Sequence, residues 1–185
     1  MKLDVPLRQP LCLDLCCGLG GVADGFLAAG WEVHGYDVVD WGYLGILHLQ
    51  DVREVDAIVA DWQGRQIDFL WASPPCREFS LQSMPWSRNK GLPLPDMSIV
   101  NACFALVKAL KPGLFILENV RGAQSYIGRA PLHRGSRYLW GDVALVPPTQ
   151  RGRKKEAWSS DQAMERARIP FGLAYGIAMA AKGGL

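Results

Sequence analysis

Leu11-Cys12-Leu13-Asp14-Leu15-Cys16-Cys17-Gly18-Leu19-Gly20-Gly21 passes from an apolar run into a glycine-rich turn. Leu11 to Leu15 reads as a buried strand. The turn leads into a helix over Val22 to Ala29, which Gly30 stops. Trp31 to Tyr36 alternates as a second strand and ends on Asp37. Together these pieces make a β-α-β unit. Its glycines let the backbone approach a ligand, and its helix N-terminus offers free N–H groups. Its terminal acid can accept hydrogen bonds from a ribose. Gly18-x-Gly20-x-x-Ala23, with Asp37 following Gly18 by 19 residues, also satisfies the dinucleotide fingerprint. A nicotinamide-linked oxidoreductase therefore fits this unit. The expected fold class is α/β, a mostly parallel sheet with helices on both faces.

Working outward, Ile67 to Trp71 reads as another buried strand. It runs into Ala72-Ser73-Pro74-Pro75-Cys76-Arg77-Glu78-Phe79-Ser80. The paired prolines bar a helix, so the chain is expected to leave as a stiff, extended loop with Cys76 at the carboxyl edge of the sheet. Ligands gather at that edge in open α/β folds. A cysteine is often only a small buried hydrophobe, but a packing cysteine needs no such rigid mount. Asp96 starts a helix with Ile99, Cys103, Leu106, Val107 and Leu110 on one face, ended by Lys111-Pro112-Gly113. Leu114 to Leu117 is a fully apolar strand that delivers Glu118-Asn119-Val120. Cys76 and Glu118 are then expected on adjacent strand ends. A thiolate there can add to an electron-poor ring carbon while the acid supports charge on a ring nitrogen. Residues 41–66 are harder to read: Asp51-Val52 ends a short approach to a third strand, and Asp51 faces either an adenine or water. Ser83 to Pro95 reads as a mobile loop. Tyr138 to Trp140 and Val143 to Val146 read as strands, and a helical tail starts near Phe171.

With 185 residues, 49% of them apolar, the chain suits one domain with a real core. No apolar run reaches the ~18 residues of a membrane span, and Met1 to Pro6 lacks the apolar core of a signal peptide. The cytoplasm is the expected location, with no membrane partner. Five scattered cysteines and three histidines show no disulfide framework or zinc spacing. The net charge of +2 divides into −7 over residues 1–75 and +9 over 76–185. The basic half permits a polyanionic partner.

Asp14-Leu15-Cys16-Cys17-Gly18-Leu19-Gly20-Gly21, Pro75-Cys76-Arg77-Glu78-Phe79-Ser80 and Glu118-Asn119-Val120 resemble, in order, the three main motifs of the cytosine-5 DNA methyltransferases. The resemblance implies a Rossmann-like methyltransferase sheet, S-adenosylmethionine as methyl donor and a cytosine flipped out of duplex DNA. It implies Cys76 as the nucleophile on C6, Glu118 at N3 and the exocyclic amine, and Asn119 beside it as a further catalytic residue. Asp14, Leu15, Cys16, Cys17, Gly18 and Gly20 would line the cofactor, with Ser73 and Pro74 beside it. Asp37 with Val38 would hold the ribose, and Asp51 with Val52 the adenine side. Cys16 and Arg77 replace the family's usual Phe and Gln. Gln150-Arg151-Gly152-Arg153 is one residue shorter than the family's Gln-x-Arg-x-Arg and implies Arg153, or its neighbour Arg151, at the target base. Lys154 to Ile169 leaves 16 residues where a separate recognition domain would need ~50 or more. The expected form is thus reduced and phage-like, acting in a bacterial or phage-infected cell. Residues 1–185 are expected to be one catalytic domain, its cofactor half about 1–75 and its DNA-facing half about 76–185, with a partner subunit possible for sequence recognition. Two other readings stay open. Ser73-Pro74-Pro75 begins like the motif of DNA amino-methyltransferases, and the chain could instead be a non-catalytic module binding cofactor or DNA.

Overall fold

The computed structural model describes residues 8–83, 91, 93–148, 165 and 167–184. Seven strands form one sheet in the order β3-β2-β1-β4-β5-β7-β6. They are β1 (Leu11–Leu15), β2 (Glu32–Asp37), β3 (Ile46–Leu49), β4 (Phe69–Ala72), β5 (Leu114–Asn119), β6 (Leu132–Arg134) and β7 (Arg137–Gly141). β1 to β5 run parallel; β7 is antiparallel to both β5 and β6. This is the Rossmann-like sheet expected from the resemblance, with an antiparallel hairpin at one end.

Side-chain alternation divides the core into two layers. Leu11, Leu13, Leu15, Leu70, Ala72 and Leu117 face one side, against α2 (Val55–Asp61) and α4 (Ser98–Leu110). The short helices α3 (Arg77–Ser83) and α5 (Gln124–Ile127) add Phe79, Tyr126 and Ile127 to that layer. Cys12, Phe69, Trp71, Ile116 and Leu139 face the other side, against α1 (Gly21–Ala28) and α6 (Phe171–Lys182). Central strands buried on both faces must be apolar throughout, which is why β1 and β4 are continuous apolar runs broken only by Asp14. Helices α1 and α6 meet closely because Gly25 has no side chain: a Cβ there would lie 2.4 Å from the Tyr175 nitrogen.

Three expectations change. Residues 41–66, hard to read in sequence, hold the whole of β3 and α2. The extended loop at the prolines lasts only to Cys76, since α3 begins at the next residue. Proline restricts its own φ and the residue before it, not the residues after it. Val143–Leu145 is a 3-10 turn and not a strand. The backbone amide of Phe115 there bonds the Asp142 carboxylate, which ends the β7 ladder just before that segment. The Ser83 to Pro95 loop lies mostly outside the described residues, as do Arg151, Arg153 and the rest of the Gln150 to Lys155 loop.

Candidate active site

The strand order reverses between β1 and β4, and the loops leaving the carboxyl ends of these strands part there. A cavity of about 220 Å³ fills the crevice. Its lining includes Asp14, Cys16, Cys17 and Gly18 after β1, Asp37 after β2, Ser73, Pro74, Pro75 and Cys76 after β4, and Glu118 on β5.

The turn after β1 is wound tightly, with Cys16 at φ 56°, Gly18 at 49° and Gly20 at 71°. A left-handed Cys16 is unusual for a residue with a Cβ. Local bonds hold the turn: Cys17 N–H donates to the Tyr36 carbonyl at 3.2 Å and Gly18 N–H to Asp37 Oδ2 at 2.9 Å. The other Asp37 oxygen accepts from Val39 N–H at 3.2 Å. Asp37 therefore clamps the turn while its remaining lone pairs face the cavity. Gly20 starts α1 and takes no direct part in the lining. The Leu15 side chain is fully buried in the core, so only its backbone reaches this edge, where its carbonyl accepts from Ser73 N–H at 3.0 Å.

Asp14 is almost wholly buried. Its Oδ2 accepts a hydrogen bond from the Tyr43 hydroxyl at 3.1 Å. Its Oδ1 has no partner among the described residues. Burial pushes its carboxyl up to about 8, against the opposing pull of the Tyr43 hydroxyl. Tyr43 was not legible in the sequence. Glycines make its berth: a Cβ on Gly20, Gly35 or Gly45 would lie 3.1, 2.5 or 2.7 Å from its ring. A glycine in the middle of β2 was the one signal that something must pass there.

Cys76 leads into α3, and its carbonyl accepts the Ser80 amide at 2.9 Å. The loop that carries it is tied on both sides. Trp71 Nε1 donates to Ser73 Oγ at 2.8 Å, and Asn119 Nδ2 donates to the Pro74 carbonyl at 3.0 Å. Asn119, fully buried, also accepts from Val120 N–H at 2.8 Å. Its side chain thus fixes the Cys76 loop to the end of β5 and does not enter the cavity. Burial raises the Cys76 thiol and the Glu118 charge raises it further; Ser80 and Arg137 oppose them. Burial pushes the Glu118 carboxyl up to about 7, against the attraction of Arg137.

Arg137 is a candidate site residue that sequence patterns did not reveal. Glu118 pairs with Leu139 across the antiparallel ladder, so Arg137, two residues earlier, is its diagonal neighbour on the same face. Such neighbours lie ~7–8 Å apart, within reach of a long side chain. Arg137 Nη2 donates to the Arg168 carbonyl at 2.7 Å, and Arg168 pairs with Asp24 of α1. This brings the segment before α6 onto the cavity, where Ala167, Arg168 and Ile169 complete the lining. An arginine opening an apolar strand was the available signal; its value depends on strand register, which spacing does not reveal.

A second cavity of about 170 Å³ adjoins the first through Cys16, Asp37 and Pro75. Val38, Gln50, Asp51, Val52, Arg53 and Ile99 form its walls. Asp51 is bound to its neighbour: Arg53 donates to it from its backbone at 2.9 Å and from its guanidinium. That contact holds the Asp51 carboxyl below the usual carboxylate range. The apolar sides of Val38, Val52 and Ile99 leave a slot suited to a flat ring.

Residues 11–127 match the family model of the C-5 cytosine-specific DNA methylases. The chain belongs to that family. It is 31% identical over 128 residues to the type II methyltransferase M.AplI of Arthrospira platensis, covering 66% of this chain and 35% of that one. Identity to M.HgiDI of Herpetosiphon aurantiacus is 28% over 121 residues, 60% of this chain and 37% of that one. M.HgiGI of the same organism is 27% identical over 121 residues, 60% of this chain and 91% of that relative. The chain thus spans just over a third of the length of the first two.

The residues at the cavity fit S-adenosylmethionine. The orphaned Asp14 oxygen suits an ammonium group, Asp37 suits a ribose, and the apolar slot suits an adenine.

Proposed function

We propose that the protein is an S-adenosylmethionine-dependent DNA (cytosine-5) methyltransferase. The observation that carries this reading is that Cys76 and Glu118 line the same cavity as Asp14 and Asp37. Nucleophile and acid thereby stand beside a cofactor-shaped cradle. Membership of a cytosine-specific DNA methylase family supports the substrate. When bound, the cofactor supplies an electrophilic methyl group on a sulfonium.

The side chains of this protein do the rest. With its carboxyl at about 7, Glu118 still holds a proton near neutrality for N3 of a flipped cytosine. Cys76 forms a C–S bond at C6, and the proton on N3 absorbs the charge that would develop on the ring nitrogen. C5 becomes electron-rich and takes the methyl group. A base then removes the C5 proton, the C6–S bond breaks, and N3 returns its proton to the Glu118 carboxylate, so that the thiolate, the acid and the neutral aromatic ring are all restored. Arg137 stabilises the anionic forms of both Cys76 and Glu118. Asn119 acts as a positioning residue through the Pro74 carbonyl. In this reading Asp14, Cys17, Gly18 and Asp37 hold the cofactor's methionine and ribose, Ser73 and Pro74 wall it, and Val38, Asp51 and Val52 border the adenine. Arg153 keeps a proposed contact with the target base.

The test is methyl transfer from tritiated cofactor to mixed-sequence DNA, with 5-fluorocytosine DNA as a trap. Fluorine at C5 blocks the final elimination, so a denaturation-resistant protein–DNA adduct is expected. Cofactor binding without transfer or adduct would sink the reading in favour of a non-catalytic module.

A further inference from the structure

Beyond the catalytic cavity, a separate open groove of about 730 Å³ lies on the other side of β5. Arg121, Gln124, Arg129, His133, Arg134 and Tyr138 are its chemically distinctive walls. Register fixes where it stands. Asn119 pairs with Tyr138, and His133 pairs with Tyr138 on the other side, so the tip of the β6–β7 hairpin sits at the carboxyl end of β5. Arg121 follows Glu118 by three residues in the 3-10 turn Arg121–Ala123. The groove therefore opens on the same edge of the sheet as Cys76 and Glu118, while alternation turns Tyr138 to the face opposite Arg137.

The groove's chemistry is one-sided. No acidic side chain lines it, and no acidic side chain among the described residues pairs with Arg121, Arg129 or Arg134. Arg134 is used structurally, donating to the carbonyls of Pro147 and His133, both at 3.3 Å. Arg121 and Arg129 are exposed, their guanidinium groups committed to no carboxylate among the described residues. His133 and Tyr138 stack, with ring centroids 5.1 Å apart and planes 19° off parallel. Gln124 pins the loop by accepting from Ala130 N–H at 3.1 Å. Cations set along a rigid trough with a flat aromatic wall suit a chain of phosphodiesters better than a single anion.

We infer that the Arg121–Arg129–Arg134 groove binds the phosphate backbone of the DNA beside the flipped cytosine. This rests on the proposed reading of DNA as substrate. Arg121 and Arg129 each engage a phosphate, and the groove positions the duplex without reading its sequence. Removing one such arginine should reduce the slope of log affinity against log salt by ~0.9.

The experiment is fluorescence anisotropy of the full chain with a short labelled DNA duplex over a salt series. It compares wild type, R121Q/R129Q and R121K/R129K, with an RNA duplex of the same sequence as a second arm. The Gln pair should weaken DNA binding at low salt and lower the salt slope by ~1.8, and the Lys pair should restore most of that slope. Circular dichroism checks folding, which these exposed side chains should not disturb. An unchanged slope on DNA overturns the proposal, as does a loss confined to RNA or a wild type that binds no duplex at low salt. The two readings fail separately. DNA binding with an arginine-dependent slope but no methyl transfer sinks the enzymatic reading alone. Transfer with an unchanged slope sinks the groove alone.

Discussion

The parallel part of the sheet and its antiparallel end build the catalytic edge by different means. From β1 to β4 the edge is made of backbone: a left-handed turn at Cys16, Gly18 and Gly20, a proline pair, and carboxylates that cap amide groups. At β5 to β7 it is made of long charged side chains, Glu118 and Arg137, aimed across the ladder by register. A cradle of backbone can hold a ligand that is the same in every turnover. Side chains facing each other across a ladder can tune chemistry, because the fixed Arg137 cation lowers the proton affinity of Glu118. In the proposed reading, binding and chemistry fall on different halves of one crevice, and substitutions should separate them.

The largest effect should come from the thiol that stands between the halves. Cys76→Ala should lower methyl transfer by about four orders of magnitude or more, since losing a nucleophile removes the covalent route altogether. Cofactor affinity, measured by calorimetry, should stay near normal. Undiminished turnover would break the assignment, and a collapse of cofactor binding would deny that the halves are separable.

Arg137→Ala comes next and belongs to the chemical half. An arginine that stabilises developing charge is worth ~10²–10³ in rate. The pH profile carries the diagnosis. Removing a cation favours the protonated forms, so both Glu118 and Cys76 should titrate at higher pH. The whole profile of the variant should therefore move to higher pH, with Arg137→Lys moving it less. A uniform fall in rate with the profile unmoved would mean that Arg137 serves only the packing of the Arg168 segment.

How much of this could be read in the sequence follows the same division. Backbone devices have residue signatures, so Gly18, Gly20, Asp37, Pro74, Pro75 and Cys76 pointed to their positions. Glu118 was legible because a carboxylate ending a buried apolar strand has few other uses. Arg137 was not, since a one-residue change in pairing would have turned it to the opposite face. The motif resemblance points to Arg153 at the target base, a residue outside the described ones. β3 was legible only as a short approach ending at Asp51-Val52, and α2 not at all, because their residues are largely exposed and leave a weak apolar period to count. Tyr43 did so because its contacts come from three glycines remote from one another in sequence.

Within the binding half, Asp14 supplies a pH test. Its carboxyl titrates at about 8 in the folded chain, far above its unfolded value. Between about pH 4 and that folded value, the native state holds a proton that the unfolded chain has released. Stability should therefore fall as pH rises through this window and level off above it. The difference between wild type and Asp14→Asn isolates the effect, on the order of a few kcal/mol between the two ends. Urea titrations at pH 5 and 8 measure it, and Asp14→Asn should gain relative to wild type at the higher pH. A cationic ligand at the orphaned Asp14 oxygen would favour the ionised form. Cofactor binding near neutrality should accordingly release a proton, visible by calorimetry in buffers of different ionisation enthalpy. A pH-independent difference would show that Asp14 is ionised throughout.

The smallest expected effect tests whether Tyr43 is part of the cradle or merely covers it. Tyr43→Phe keeps the ring against Gly20, Gly35 and Gly45 and removes only the hydroxyl that donates to Asp14. Against a neutral carboxyl at pH 6 the lost bond should cost about 1 kcal/mol. Above the Asp14 titration the acceptor is a carboxylate, where such bonds are worth ~1.5–3 kcal/mol, so the cost should rise with pH. The same loss raises the Asp14 titration further, since the hydroxyl is what holds it down. The cavity should then bind a cationic ligand less well at pH 7 than wild type does, while DNA binding stays unchanged. Equal stability costs at pH 6 and 9 would show that the hydroxyl does not face the titrating carboxyl, and Tyr43 would then serve the fold alone.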